Sequence, residues 1–167
     1  MLQQNKILVL GIGNYLMGDE GVGVHAALQL QNENLSSDID IVDGGTGGFH
    51  LLEYFEKYKT IILIDATLDN NSNGTIRLIK PRFAQDFPTA MSTHDIGLKD
   101  MVSALQLMNK MPVIHLLVVS IESLQQQGIE LTDEIEKAMP LLIKKVKHLI
   151  TELKEQKIEK EILAWSV

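Results

Sequence analysis

Three short apolar runs constrain this chain most: Lys6 to Leu10 (K-I-L-V-L), Ile39 to Val42 and Thr60 to Ile64 (T-I-I-L-I), each stopping on a glycine or an aspartate, Gly11, Asp43 and Asp65. The second is interrupted by Asp40; the other two are continuous rather than alternating, and all are far shorter than a membrane span. Runs of that kind read as strands buried on both faces, and a sheet buries both faces only when helices cover them. The intervening segments supply those helices. From Gly21, residues Val22, Ala26, Leu28 and Leu30 mix with polar ones as far as the turn-prone Asn32 to Ser37, and Leu51, Leu52 and Phe55 recur at helical spacing.

The second half continues the alternation. Thr75 to Lys80 follows the turn cluster Asn70 to Gly74, and its link from Asp65 is shorter than the dozen residues a parallel crossover needs. It is therefore expected antiparallel, at an edge. Ile96 to Met108 reads as a helix carrying Met101, Leu105 and Met108 on one face, and Pro112 opens a last strand over Val113 to Val119. Thr132 is a suitable N-cap, with Asp133 and Glu134 in the first turn, and Pro140 is expected to kink or split the helix that follows. The order predicts an α/β fold with a mostly parallel sheet and helices on both faces, as a single domain over residues 1–167.

Composition excludes several functions. The 22 acidic and 15 basic side chains leave a formal charge of −7. Between Thr132 and Glu161 seven acidic and seven basic residues cancel, so the excess belongs to the first 131 residues. A surface of that sign repels phosphate backbones, so no nucleic-acid partner is expected. There are no cysteines, so any metal site must use His, Asp and Glu. No apolar run approaches the roughly 18 residues of a membrane span, and M-L-Q-Q-N-K at the start lacks the features of a secretory signal, so a cytoplasmic location is expected.

In open α/β sheets ligands bind beyond the carboxyl ends of the strands, which selects Gly11 to Glu20, Asp43 to Gly48, Asp65 to Thr67 and Ser92 to Asp95. The first loop, G-I-G-N-Y-L-M-G-D-E-G-V-G, invites a dinucleotide-binding reading. That reading fails because Leu16 stands where the third glycine of G-x-G-x-x-G is needed, and because Asp19 and Glu20 would face a pyrophosphate. Like charges about 4 Å apart repel by roughly 4 kcal/mol at an effective dielectric near 20. The same carboxylates suit a divalent cation. Asp65, placed after four apolar residues, is costly to bury unless paired, hydrogen-bonded or bound to metal. If the first and third strands are neighbours, Glu20 and Asp65 converge, and His94 can add an imidazole. Two carboxylates and one imidazole leave coordination positions open and suit zinc, nickel, iron or manganese.

Each residue also has a plainer role open to it. Asp19 fits a helix N-cap, Glu20 a complement to the helix dipole, Asp65 a loop cap, and His94 a capping or solvated residue. His50 rivals His94, His25 and His148 read as surface residues, and His115 reads as a hydrogen-bonded core histidine. The D-G-G-T-G-G loop lacks the Lys-Ser/Thr ending of a P-loop. It serves either as a tight turn or as a groove for an extended peptide.

Five segments occur here in register: Gly11 to Gly23, Asp43 to Thr46 (D-G-G-T), Ile64 to Ala66 (I-D-A), His94 to Leu98 (H-D-I-G-L) and Ile121 to Ser123 (I-E-S). In order and spacing the chain resembles the nickel-iron hydrogenase maturation endopeptidases over roughly Ile7 to Leu153. That resemblance implies a three-layer α/β/α sandwich with a twisted, mostly parallel sheet. It implies an aspartic-type endopeptidase that removes a C-terminal extension from the hydrogenase large-subunit precursor after nickel insertion. It also implies metal contact and catalysis by Glu20, Asp65 and His94, and substrate recognition by Asp43, Gly44, Gly45 and Thr46. Nickel, bound by this chain or carried by the substrate, is the implied ion, and zinc or another divalent ion fits the same donors. Two mechanisms stay open at this level: a bound metal that polarises the scissile carbonyl, and a trio that docks onto nickel already in the substrate. A non-catalytic, metal-binding chaperone for the same precursor is the alternative function, and a monomer is expected.

Overall fold

The computed structural model describes residues 6–89, 91, 98–122 and 127–165. The three apolar runs form β1 (Ile7–Gly11), β2 (Ile39–Asp43) and β3 (Thr60–Thr67). They are joined by β4 (Ile76–Ile79) and β5 (Val113–Ser120) in one sheet of order β2-β1-β3-β5-β4. β1, β2, β3 and β5 run parallel, and β4 is antiparallel to β5 at the edge, as its short link predicts. β1 lies between β2 and β3, with Gly11 opposite both Asp43 and Ile64. The adjacency on which the convergence of Glu20 and Asp65 depends is therefore met.

Successive strand residues face opposite ways, so the parity of each residue assigns it to one of two cores. Val9, Ile62, Ile64, Leu117 and Val119 face α1 (Val22–Gln31) and α4 (Asp133–Trp165) through Val22, Leu30, Ile135, Leu142 and Val146. Leu8, Leu10, Ile61, Leu63 and Val118 face α2 (Leu52–Lys57) and α3 (Leu98–Leu107) through Phe55, Met101, Val102 and Leu105. Helices on both faces give the three layers. Burying one Leu, Ile or Phe side chain contributes about 1.5–3 kcal/mol, so each layer is held by several such groups and tolerates the loss of no large one cheaply.

Two expectations are corrected in part. Of the kink or split expected at Pro140, the split does not occur: α4 is a single helix of 33 residues with Pro140 inside it. Pro140 sits in the eighth position, and Ile135 and Met139 before it and Leu142, Ile143 and Val146 after it are all buried on the same core. Packing on both sides outweighs the missing backbone bond, which costs about 3 kcal/mol in an isolated helix. Beyond Leu153 the helix leaves the core, and residues 155–164 are exposed. No helix among the described residues is long and apolar enough to cross a membrane.

The second correction concerns His115. It is 6% exposed on the α4-facing side of β5, but neither ring nitrogen has a hydrogen-bond partner. Burial holds its imidazole below the usual histidine range, the charge of Lys80 adds to that effect, and Glu152 opposes it. In the unfolded chain the same imidazole protonates near its ordinary value of about 6.5, so below that pH the unfolded state binds more protons and stability falls. We expect the melting temperature of His115→Leu to fall less between pH 7 and pH 5 than that of the unsubstituted protein. Parallel pH curves in a thermal-melting series would contradict this.

Candidate functional site

The sheet's carboxyl edge is assembled by backbone contacts too close for side chains. A 3₁₀ turn over Gly18–Gly21 precedes α1 and is buried throughout. A Cβ on Gly23, in the first turn of α1, would lie 2.3 Å from the carbonyl oxygens of both Ile12 and Ile64. The helix start therefore rests directly on the ends of β1 and β3. A Cβ on Gly13 would lie 2.0 Å from the carbonyl oxygen of Glu20, and Gly13 holds φ +140, a conformation that L side chains rarely adopt. Glycines at 13 and 23 thus seat the turn that carries Glu20, and the helix start after it, against β1 and β3.

Glu20 and Asp65 are 1% and 0% exposed. Asp65 follows Ile64, whose carbonyl accepts the Ile12 N–H at 2.9 Å, and its own Oδ1 accepts the Ala66 N–H at 2.8 Å. Removing a carboxylate from water costs several kcal/mol unless charge and hydrogen bonds compensate it. The two lie on elements that touch, the 3₁₀ turn and β3. His94 lies outside the described residues, as do the rest of H-D-I-G and Ser123 of the I-E-S segment. The described chain brackets His94 on both sides. Met91 makes an antiparallel bridge to Thr67, two residues beyond Asp65, and Leu98 begins α3 on the face whose strand parity Asp65 shares.

The glycine loop is tied to the same edge. Gly44 N–H donates to Gly11 O at 2.8 Å, and Gly13 N–H donates to Gly45 O at 2.8 Å, so the loop extends the sheet past β1. Asp43 is exposed, and its Oδ1 accepts the Gly45 N–H at 2.8 Å, closing a local turn. Thr46 is exposed, Gly44 buried and Gly45 half-buried. His50, the rival imidazole, is exposed, and its Nε2 lies 3.1 Å from Gly44 O. A polar cleft of about 410 Å³, lined in part by Asn70, Asn71, Asn73 and Glu122, opens beyond the ends of β3 and β5. Sequence reading did not foresee that cleft, although the Asn cluster was visible as a turn.

Asp19 does not cap the helix that follows it. It is 1% exposed, and its two carboxylate oxygens accept the N–H and the hydroxyl of Thr132, each at 2.8 Å. Hydrogen bonds to a charged group contribute about 1.5–3 kcal/mol each, which offsets the burial. His25 is half-buried rather than on the surface. Its ring packs on Tyr15 with centroids 4.7 Å apart, and burial lowers its pKa, an effect that the nearby Ile129 backbone opposes.

Comparison with known proteins points one way. A family model described as "Hydrogenase maturation protease" matches residues 24–162, which include Asp65 and His94 and begin just after Glu20. The chain is 30% identical to the hydrogenase 2 maturation protease of Escherichia coli K12 over 161 residues, 95% of this chain and 98% of that one. It is 36% identical to the hydrogenase expression/formation protein HupD of Bradyrhizobium diazoefficiens over 125 residues, 73% of this chain. The match spans 65% of HupD, just under two thirds of its length. The solved structure of the hydrogenase maturating endopeptidase HybD from E. coli superposes with a TM-score of 0.80 at 32% identity, covering 88% of this chain and 93% of that one.

Gly13→Ala is expected to destabilise the fold by about 2–4 kcal/mol, through backbone strain and overpacking against the Glu20 carbonyl together. Gly45→Ala is the control. It has φ +55 and no described atom within 4 Å of the added Cβ, so only conformational strain of roughly 1–2 kcal/mol applies. Denaturant unfolding of both variants checks the order, and equal losses would contradict the close-approach account.

Proposed function

This chain belongs to the hydrogenase maturation protease family, and on that basis we propose that it removes the C-terminal extension of a nickel-iron hydrogenase large-subunit precursor after nickel insertion. Membership makes it a peptidase. The observation that carries the site assignment is the pair of fully buried carboxylates, Glu20 and Asp65, on touching elements at the carboxyl edge of the sheet. His94 completes the trio in this reading. Its support is the placement of Met91 and Leu98, which bring the chain to that edge on either side of it.

Glu20, Asp65 and His94 would hold a divalent ion, and we read that ion as the nickel borne by the substrate. Three protein donors leave positions for the ligands that an arriving ion already has, and the two carboxylates supply negative charge toward it. Zinc or another divalent ion suits the same donors. When bound, such an ion polarises a neighbouring carbonyl and lowers the pKa of water. The chain's own residues do the rest. The Asp43 to Thr46 loop, hydrogen-bonded into the sheet's extension, presents an exposed edge along which an extended peptide can lie. Glu20 and Asp65, buried and held by backbone contacts, keep their positions relative to that peptide. The negative first 131 residues favour a metal-bearing, cationic partner over nucleic acid. One sheet with a core on each face supports a single domain over 1–167; a monomer in the cytoplasm is part of the same proposal.

Glu20→Ala, Asp65→Ala and His94→Ala are each expected to reduce cleavage of nickel-loaded precursor by at least a hundredfold while circular dichroism shows an intact fold. Intact-mass spectrometry of the large subunit reads the outcome. Full cleavage by the Asp65→Ala protein would remove the site assignment. An unchanged precursor mass with the unsubstituted protein would favour a chaperone that holds the precursor without cutting it.

A further inference from the structure

The turn that carries Glu20 is gripped from outside by a segment more than a hundred residues away. Gly128 N–H donates to Leu16 O at 2.8 Å, and Gly18 N–H donates to Gly128 O at 2.7 Å. Four residues on, Thr132 gives both its N–H and its hydroxyl to Asp19 at 2.8 Å. Between them, the backbone of Ile129 meets the ring of His25, which packs on Tyr15. The connection from β5 to α4 thus fastens both flanks of Met17–Asp19, and Glu20 is the next residue. Its other side is fixed by the contact with Gly13.

The adjacent acids Asp19 and Glu20 are both buried, yet they are not interchangeable. In a 3₁₀ turn of three residues per turn, neighbouring side chains diverge by about 120°, so one pair of adjacent acids serves two directions. Asp19 turns to the N-terminus of α4, where Thr132 satisfies both of its oxygens. A Ser or Asn cap would close the helix without burying a charge, so helix capping alone does not require Asp19. The carboxylate's two acceptors give a two-point hold that fixes rotation as well as distance.

We propose that Asp19 and Thr132 are positioning residues: their paired hydrogen bonds, with the Gly128 backbone clasp, fix the turn from which Glu20 acts. This rests on the reading of Glu20 as a catalytic residue. Thr132→Val removes one of the two bonds and keeps the backbone N–H bond and the side-chain volume. Thr132→Ser restores the hydroxyl.

Two measurements test the proposal. Amide hydrogen exchange on the isolated protein is expected to show exchange over Gly18–Gly21 at least fivefold faster in Thr132→Val, with the β3 and β5 amides unchanged, and protection restored in Thr132→Ser. Cleavage kinetics on nickel-loaded precursor, well below the melting temperature, are expected to show kcat about tenfold lower in Thr132→Val, with KM within twofold and recovery in Thr132→Ser. Unchanged exchange over Gly18–Gly21 overturns the clasp. Faster local exchange with unaltered kcat overturns its positioning role, as does a kcat loss that Thr132→Ser fails to restore. If the unsubstituted protein does not cleave the precursor, the peptidase reading fails and takes the positioning role with it, while the exchange result still decides the clasp.

Discussion

Backbone lying against backbone at the ends of β1 and β3 is the contact on which the rest of this structure depends. At Gly13 and Gly23 there is no room for a single methyl group, because carbonyl oxygens lie 2.0–2.3 Å from where it would sit. Contacts of that kind leave no side chain to yield, and so no slack. The start of α1 is seated on two strand ends at once, and the 3₁₀ turn ahead of it is fixed to the carboxyl edge. That geometry brings the turn that carries Glu20 against the third strand. The same edge receives the glycine loop after β2 through two 2.8 Å backbone bonds.

Burying acids is the second constraint, and the structure meets it differently at each one. Asp19 is satisfied by both donors of Thr132. Asp65 takes its own following amide, and Asp43, exposed, closes a turn on Gly45. Glu20 and Asp65 are buried almost completely as well, in the same turn as Asp19 and on β3. A fold that needed these positions for stability alone would gain by placing apolar groups there, since desolvating a carboxylate costs several kcal/mol. The proposed site for a cation-bearing peptide gives these two carboxylates a use that stability alone does not.

The sheet was legible because its code is local. Continuous apolar runs mark buried strands, a short link marks the antiparallel edge, and acids at strand ends mark the carboxyl edge. The adjacency of β1 and β3, on which the proposed convergence of Glu20 and Asp65 rests, needs only one assumption about topology. What was hidden depends on distant partners. Asp19 resembles an N-cap in its own segment, and nothing nearby reveals a partner 113 positions away. Pro140 reads as a helix breaker because propensity is local, whereas the packing of Met139 and Leu142 that overrides it is tertiary. His115 looks like any core histidine, yet neither of its nitrogens has a hydrogen-bond partner among the described residues. His25 reads as exposed until Tyr15 and the 127–132 segment cover it.

The central claim is that the acidic edge formed by Glu20 and Asp65 serves cleavage of a nickel-bearing precursor. Intact-mass spectrometry of the large-subunit precursor, incubated with this protein in nickel-loaded and nickel-free forms, tests it most directly. The account predicts loss of the C-terminal extension from the nickel-loaded precursor and full-length mass for the nickel-free one. Equal cleavage of both forms, or of neither, would contradict it.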